Sequence, residues 1–476
     1  MRIAIIGGGI AGLAAAYELQ QARAAGSSVE YTLFEANDRL GGCIRSETID
    51  GAVLERGPDS FLTEKPAAAE LCRELGLGDD LIASNDAARK TWVVVGNRLV
   101  SLPDGLMFLI PTKLIPTALT RLFSLRTKIR MGLELLLPPR PSDEDESVAT
   151  FVERHYGREV VDRLADPLLS GIYGGDSTEL SVRTVLPRLV EMESQYGSLT
   201  RGMLAAHRAM LARAKTAPRK NHSSGPRGVF TTLRGGMQQL VDALAARLDP
   251  ASLRLSTPVR GVARIGSEWR LDVGGSQEHF GGVILATPAW TAAELMREVD
   301  AQLATDLGGI PYSSSITINL IYDETQLGRL PDGFGFLVPA TEGRSLLAST
   351  FVHRKFLGRT PTGKAVLRAF LGGMKNASLL TTTDDTLTAT VRRELTEILG
   401  SAALPLDATP EYVQVSRWPR AMAQYAVGHL ARKERISERV ATLPGLRLAG
   451  NAYDGIGISD CARLGRQAAK ELIAAQ

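Results

Sequence analysis

The period of apolar and polar positions changes several times along the chain, and each change predicts an element. Arg2–Ile6 is almost uninterrupted apolar sequence. It leads into Gly7-Gly8-Gly9-Ile10-Ala11-Gly12 and then a strong helix-forming stretch, Leu13-Ala14-Ala15-Ala16-Tyr17-Glu18-Leu19. A second β-like run over 29–34 ends at the acid Glu35. Strand, glycine loop, helix, strand and acid in that order predict a βαβ unit. Residues 66–77 read as a helix closed by Gly78. Residues 90–102 read as a hairpin around Gly96-Asn97. From 105 to 212 the spacing is mainly helical, with a break at Pro138-Pro139-Arg140-Pro141 and acids from Asp143 to Glu146 suited to the next helix start. Helical spacing over 151–169 ends in Gly171-Ile172-Tyr173-Gly174-Gly175-Asp176. The polar stretch 215–228 predicts an exposed linker. Strands are then expected over 229–233, 254–264, 269–273, 283–286, 313–322, 334–339, 346–351, 365–371, 412–418 and 446–450. Helices are expected over 237–248, 292–296, 384–399 and at the C-terminus.

Composition narrows the class. A chain of 476 residues is too long for one core and predicts two or three domains. With 44% hydrophobic and 22% charged residues it is ordinary for a soluble protein, and a net charge of +3 makes no case for nucleic acid. Cys43, Cys72 and Cys461 have neither metal spacing nor an even framework, which suits a reducing compartment. His155, His207, His222, His279, His353 and His429 are scattered, so no metal site is expected. The apolar start runs straight into the glycine loop, unlike a signal peptide. No apolar run reaches the roughly 20 residues of a membrane span. Residues 102–123, rich in Leu, Ile and Phe but interrupted by Asp104, Lys113, Arg121 and prolines, suit either a membrane surface or a cover over an apolar pocket.

The glycine loop carries the first candidate chemistry. Gly7 allows the tight turn, Gly9 lets backbone approach a pyrophosphate, and Gly12 lets the helix pack closely. The helix start offers free N–H groups to phosphates. Glu35 lies at about the 20-residue interval of a ribose-binding acid. By itself this unit suits NAD as well as FAD. Gly41-Gly42 bring backbone close to something again. The turn Gly57-Pro58-Asp59-Ser60 could run along a flat ring. The three glycines of 171–176 suit a loop pressed against a ligand or another backbone, or a helix C-cap and turn. No Ser-His-Asp or paired-carboxylate constellation is visible.

Several motifs together resemble the FAD-dependent amine oxidase superfamily: 7–12 with Glu35, Arg39-Leu40-Gly41-Gly42, Leu233-Arg234-Gly235-Gly236-Met237, Val283-Ile284-Leu285-Ala286-Thr287-Pro288, and 450–460. More narrowly, the chain resembles the protoporphyrinogen oxidase family, which includes bacterial coproporphyrinogen III oxidases. Gly57-Pro58-Asp59-Ser60-Phe61, 171–176 with Leu180-Ser181, 333–339, Arg417-Trp418-Pro419, Gln424-Tyr425, Gly428-His429 and 450–461 carry that likeness.

The resemblance implies an α/β plus α+β fold. It comprises a Rossmann-like FAD-binding domain (1–88, 228–300 and 412–476), a mixed-sheet substrate domain (89–104 and 301–411) and a helical domain that touches a membrane (105–227). It implies non-covalent FAD against Gly7, Gly8, Gly9, Ile10, Ala11, Gly12, Glu35, Ala36, Cys43, Gly57, Pro58, Asp59, Ser60, Val259, Trp418, Asn451, Ile456, Gly457 and Ile458. Cys461 is expected to be buried packing. The implied activity is six-electron oxidation of a porphyrinogen to the porphyrin in haem biosynthesis, with O2 as acceptor and hydrogen peroxide released. The flavin carries the hydride chemistry, so no catalytic acid or base is assigned. Gly171, Phe334, Leu337 and Phe370 would line the substrate slot. Also implied are a cytoplasmic protein peripheral on the inner membrane face and a homodimer.

One departure bears on substrate. Many members of the family carry arginine where this chain has Thr91. The nearby cations are Arg89 and Lys90, and strand alternation would keep Arg89, not Lys90, on the same face. Thr91, Ile110-Pro111-Thr112-Lys113 and Leu122-Phe123-Ser124 look more like the coproporphyrinogen branch, whose substrate has four propionates to anchor. Two other readings stand beside this one: an amine oxidase or carotenoid-desaturase-type flavoenzyme, and a non-catalytic flavin-binding protein.

Overall fold

The computed structural model describes residues 1–103, 105–107, 109–111, 113–140, 144–216 and 228–475. The proposed linker over 215–228 lies almost wholly outside these residues, as do Asp104, Thr112, Pro141 and Asp143.

Five strands form a parallel sheet in the order Leu253–Arg254, Glu30–Phe34, Arg2–Ile6, Gly282–Leu285, Leu446–Leu448. Arg2–Ile6 sits at its centre and is covered on both sides, which is why Ile3–Ile6 is apolar throughout rather than alternating. Ile3 and Ile5 pack among residues of the Ile10–Ala24 and Ile458–Ala474 helices. Ala4 and Ile6 face Trp269, Phe280 and Met296.

A seven-stranded sheet runs Tyr412–Ala423, Tyr312–Asp323, Lys364–Gly372, Leu346–Phe351, Gly335–Leu337, Thr91–Val95, Arg98–Ser101. Gly335–Leu337 and Thr91–Val95 pair in parallel and the others antiparallel, so the sheet is mixed. Residues paired across strands share a face. Ile316, Ile318, Leu320, Leu367, Ala369 and Leu371 pack in one cluster with Leu387, Val391 and Leu395 of the Asp384–Leu399 helix. The opposite face carries Thr317, Asn319, Arg368 and Phe370.

Several elements differ from expectation. The helix over 151–169 is broken. A Ser147-capped helix, Val148–Tyr156, stops at Gly157, whose φ of 94° is outside helical geometry. A wide turn over Val161–Ala165 follows, then the helix Asp166–Tyr173. Gly171 is therefore helical, and Gly174 is the left-handed C-cap. A side chain at Gly171 would reach Leu337 at 3.4 Å, so the segment also makes a close approach.

The Tyr412–Ala423 strand continues past Pro419 through a bulge. Ser315 pairs with Trp418, but Ser313 pairs with Met422. Proline is tolerated in a strand at such a bulge. The Ser276–Phe280 strand, the Ala301–Gly308 helix and the His429–Ala441 helix were not anticipated. His429–Ala441 shows little apolar pattern because only His429 and Ile436 are buried. Arg435 with Asp306 and Arg439 with Asp300, both at 2.6 Å, hold it in place.

Residues 102–123 divide in two. Leu109, Ile110, Leu122 and Phe123 are buried in the helical region's core, whereas Ile115 and Leu119 are exposed. Among the described residues, no helix is long and apolar enough to cross a membrane.

Candidate cofactor and substrate site

The glycine loop is zipped to the second glycine pair. Gly41 N–H donates to Gly8 O at 2.8 Å, and Gly9 and Gly41 form an isolated bridge. Glu35 is buried between them. Its carboxylate accepts from Gly8 N–H at 2.7 Å, Asn37 N–H at 2.8 Å and the Asn37 amide at 2.6 Å. Arg39 ties the carbonyls of Leu40, Gly42 and Ile44. Thr257 N–H donates to Glu35 O at 2.8 Å, which brings the start of the Val259–Ile265 strand, Val259 included, to the same corner. Ala36, next to Glu35, is exposed.

These loops border open space. A Cβ on Gly9 would meet nothing within 4 Å, whereas one on Gly42 would lie 3.3 Å from Gly9 Cα. Cys43 is accessible, yet burial raises its thiol pKa. Gly57 packs so closely on Cys43 O that any side chain there would collide with it, and Trp418 lies 3.6 Å from the same point. Farther round, Asn451 donates to Ala421 O at 2.9 Å, and Tyr425 donates to Asn451 O at 2.9 Å. Gly457 caps the Ile458–Ala474 helix. Gly7, Gly8, Ile10, Ala11 and Gly12 form the loop and first turn of the opposite helix, Ile10–Ala24. The Thr287 backbone nitrogen lies beside Gly7, and Thr287 Oγ1 is buried with no hydrogen-bond partner among the described residues. Two helix starts, backbone approaches without side chains and an orphaned hydroxyl form a cradle that suits a dinucleotide. Cys461 is buried, and burial pushes its thiol to about 12, so it is a poor nucleophile for anchoring a ring.

The turn after Ala52–Glu55 is held from behind by the seven-stranded sheet. Asn319 donates to Glu55 O at 2.9 Å, Thr317 and Trp418 to Arg56 O at 2.7 Å each, and Arg368 to Gly57 O. Thr232, from Phe230–Leu233, donates to Asp59 O at 2.7 Å. Asp59 also accepts from Ser60 Oγ at 2.6 Å and pairs with Lys355 at 3.0 Å. Burial alone would raise the Asp59 carboxyl, but Lys355 and Arg368 hold it well below the usual carboxylate range. Pro58 is half-buried in this turn. The sequence reading missed Asn319, Thr317, Lys355 and Arg368. The available signal was polar residues inside apolar strands, as in Ile316-Thr317-Ile318-Asn319-Leu320 and Leu367-Arg368-Ala369.

Of the slot residues, the structure brings three together. Phe370 and Leu337 both pair with Ala348 and so share the site face, and Gly171 lies against Leu337. Phe334 is buried just before its strand, with its N–H on Lys90 O at 2.8 Å, and the register does not align it with the other three. Thr91 pairs with Gly335, in the row that continues through Thr350 to Arg368. Arg89 precedes the strand at the end of a 3-10 turn and is exposed, so the alternation argument does not reach it. Lys90 stacks over the Trp92 ring at 4.2 Å.

Residues 10–473 match the family model of flavin-containing amine oxidoreductases. The chain belongs to that family. Within it, the chain groups with the protoporphyrinogen and coproporphyrinogen III oxidases. It is 32% identical over 474 residues to coproporphyrinogen III oxidase of Bacillus subtilis, covering 99% of this chain and 97% of the relative. Identity with the enzyme of that name from Propionibacterium freudenreichii is 34%, covering 99% and 90%. A crystal structure from Exiguobacterium sp. 255-15, provisionally named a protoporphyrinogen oxidase, superposes with a TM-score of 0.86 at 31% identity, covering 100% and 99%. A family flavin fits the cradle's donor set.

Proposed function

We propose that this protein is an oxygen-dependent FAD oxidase in haem biosynthesis. It converts a porphyrinogen, coproporphyrinogen III and/or protoporphyrinogen IX, to the porphyrin, with coproporphyrinogen III favoured. Three two-electron oxidations remove six electrons, and each reduces one O2 to hydrogen peroxide. The observation that carries the reading is that Leu337 and Phe370, each paired with Ala348, share one sheet face with Gly171 against Leu337, an apolar surface next to the Gly57 turn. The names of the bacterial relatives support the choice of substrate. FAD held non-covalently at 7–12, Glu35, Cys43, 57–60, Val259, Trp418, Asn451 and 456–458 would supply the hydride acceptor. The chain's own residues orient the substrate and exclude water, and no side chain is required as acid or base. We assign cofactor binding to 1–88, 228–300 and 412–476, and substrate binding to 89–104 and 301–411.

Against an amine oxidase, Tyr453 is the only aromatic residue of the 450–461 segment. It is buried in the apolar cluster with Trp269 rather than offered as a cage wall.

The helical region 105–227 supports peripheral membrane contact. Leu125, Ile129 and Leu133 of the Leu125–Leu133 helix form a stripe continued by Leu136, and with Ile115 and Leu119 they are 56–77% exposed. Arg121 and Arg126 are exposed nearby. Such a stripe with flanking bases suits an anionic bilayer surface. Cosedimentation with anionic vesicles is expected, and its retention in Ile129→Ser/Leu133→Ser would remove this assignment.

The purified protein should carry a flavin spectrum that bleaches anaerobically with coproporphyrinogen III and not with amines or polyenes. Failure of both porphyrinogens to reduce it would overturn the substrate reading. Comparing kcat/KM for the two porphyrinogens measures the preference directly. Gly9→Val puts a branched side chain into open space, so it should yield folded protein without FAD. Normal FAD content in that variant would displace the pyrophosphate from the 7–12 loop.

A further inference from the structure

Behind the 57–60 turn lies a buried cluster that the reaction, as described, does not use. Glu55, Asp59, Lys355, Arg359 and Arg368 meet there, two acids against three bases. Arg359 and Arg368 are 1% and 3% exposed. Glu55 accepts from Arg359 and from Met237 N–H at 2.8 Å, and Ser46 Oγ donates to its second oxygen at 2.6 Å. Arg359 also donates to Thr232 Oγ1 at 3.2 Å. Full ionisation leaves one net positive charge inside the protein. A buried charge is costly unless it is paired or used.

Arg368 occupies the junction. One guanidinium nitrogen donates to Gly57 O, and the other lies 3.6 Å from Asp59 Oδ2. The guanidinium sits 4.9 Å from the centroid of the Phe370 ring, the slot residue two places on along the same strand face. Among the described residues, neither its Nε, nor the Nε of Arg359, nor Oδ1 of Asn319 has a hydrogen-bond partner, and all three residues line one cavity with room for about one water.

We propose that Arg368 is a positioning residue: it locks the flavin-facing turn to the floor of the substrate slot and supplies the buried positive charge that favours the reduced cofactor. This rests on the cofactor placement proposed above. Two roles follow from two properties of the side chain. The planar fork reaches Gly57 O and Asp59 together while lying on Phe370, which an ammonium cannot do. With flavin bound at the turn, the Arg368 charge beside Gly57 O would favour the reduced form, because two-electron reduction with uptake of one proton leaves a net negative charge.

The test uses holoenzyme of the wild type, Arg368→Lys, Arg368→Met and Asp59→Asn. FAD dissociation constant, visible spectrum and midpoint potential are measured with a chemical reductant, so none of the readouts needs a porphyrinogen. Both Arg368 variants should bind FAD at least tenfold more weakly, because both lose the fork. Arg368→Lys should keep the wild-type potential. Arg368→Met should lower it by about 30 mV, a tenfold change for two electrons. Asp59→Asn, nearly isosteric, should shift it upward and stands in if Arg368→Met does not fold. Wild-type FAD affinity in both Arg368 variants would overturn the lock. Equal potentials in the Lys and Met variants, or a downward shift in Asp59→Asn, would overturn the charge role. Failure of porphyrinogen to reduce the wild type, with these shifts intact, would overturn the substrate reading alone.

Discussion

The two faces of the seven-stranded sheet are made by the same strands and do opposite work. On one face, Ile316, Ile318, Leu320, Leu367, Ala369 and Leu371 meet the Asp384–Leu399 helix without a hydrogen-bonding side chain among them. On the other, Thr317, Asn319, Arg368 and Trp418 each donate to a carbonyl of the 55–57 backbone, and Phe370 lies beside them. The apolar face supplies burial, a non-directional force proportional to area. The polar face contributes little net stability per bond, because each bond replaces one to water. It contributes direction: four donors leave the turn one position. The strands thus separate holding the fold together from holding the site in place, one residue apart.

That separation can be broken by substitutions chosen from each face. The largest effect is expected from Ile318→Ala, which empties a fully buried site on the apolar face and should cost about 2–5 kcal/mol. Chemical denaturation measures it, and kcat/KM per folded molecule should stay within about twofold if the faces are independent. A large fall in kcat/KM at full folding would join the two faces. Next is acid. His353, which bonds Val366 N–H in the same sheet at 3.2 Å, is lowered to about 4, first by burial and then by the nearby Arg354 charge. A folded pKa below the unfolded value of about 6.5 means stability is complete above pH 6.5. It is lost as pH falls toward 4, by up to about 3 kcal/mol. Melting temperature should fall as pH drops from about 6.5 to 4, and this dependence should flatten in His353→Gln. An unchanged slope would assign the acid loss to other groups, such as the buried His429.

Smaller and confined to the site is Phe370→Ala. It should lower kcat/KM for porphyrinogen by about 10-fold or more, from 1–3 kcal/mol of lost apolar contact. FAD content should change little, since Phe370 itself makes no bond to the turn. Smallest is Thr317→Val. It removes one of two donors to Arg56 O and should cost about 1 kcal/mol. Because Trp418 still holds that carbonyl, the flavin spectrum should shift only slightly. A larger spectral change than in Phe370→Ala would mean that each donor to the turn is needed separately.

Much of this was readable in the chain where the cause is local. The glycine loop, the Leu346–Phe351 strand and the Asp384–Leu399 helix fall where spacing puts them, because strand and helix periods, glycines and a Thr383 cap act over a few residues. Where burial is partial or two-sided, the signal failed. His429–Ala441 sends only His429 and Ile436 fully into the core, and ion pairs to Asp300 and Asp306 add to that contact. The break at Gly157 and the bulge at Pro419 depend on what packs beside them. Arg89 was placed by extending strand alternation backward past the first strand residue, Thr91, into a turn where alternation does not hold.

By itself, then, the order of residues determined the βαβ unit and the list of motifs, since each depends on neighbours within one or two turns of chain. It could not say that Arg368, 311 residues from Gly57, closes on that carbonyl, or that Leu337 and Phe370 share a face opposite Gly171. Those contacts depend on strand register and on the packing of one sheet against another. A shift of one residue in register would turn Arg368 and Phe370 to the apolar face. Only the assembled tertiary structure chooses between those alternatives, because the burial that decides register is summed over the whole sheet.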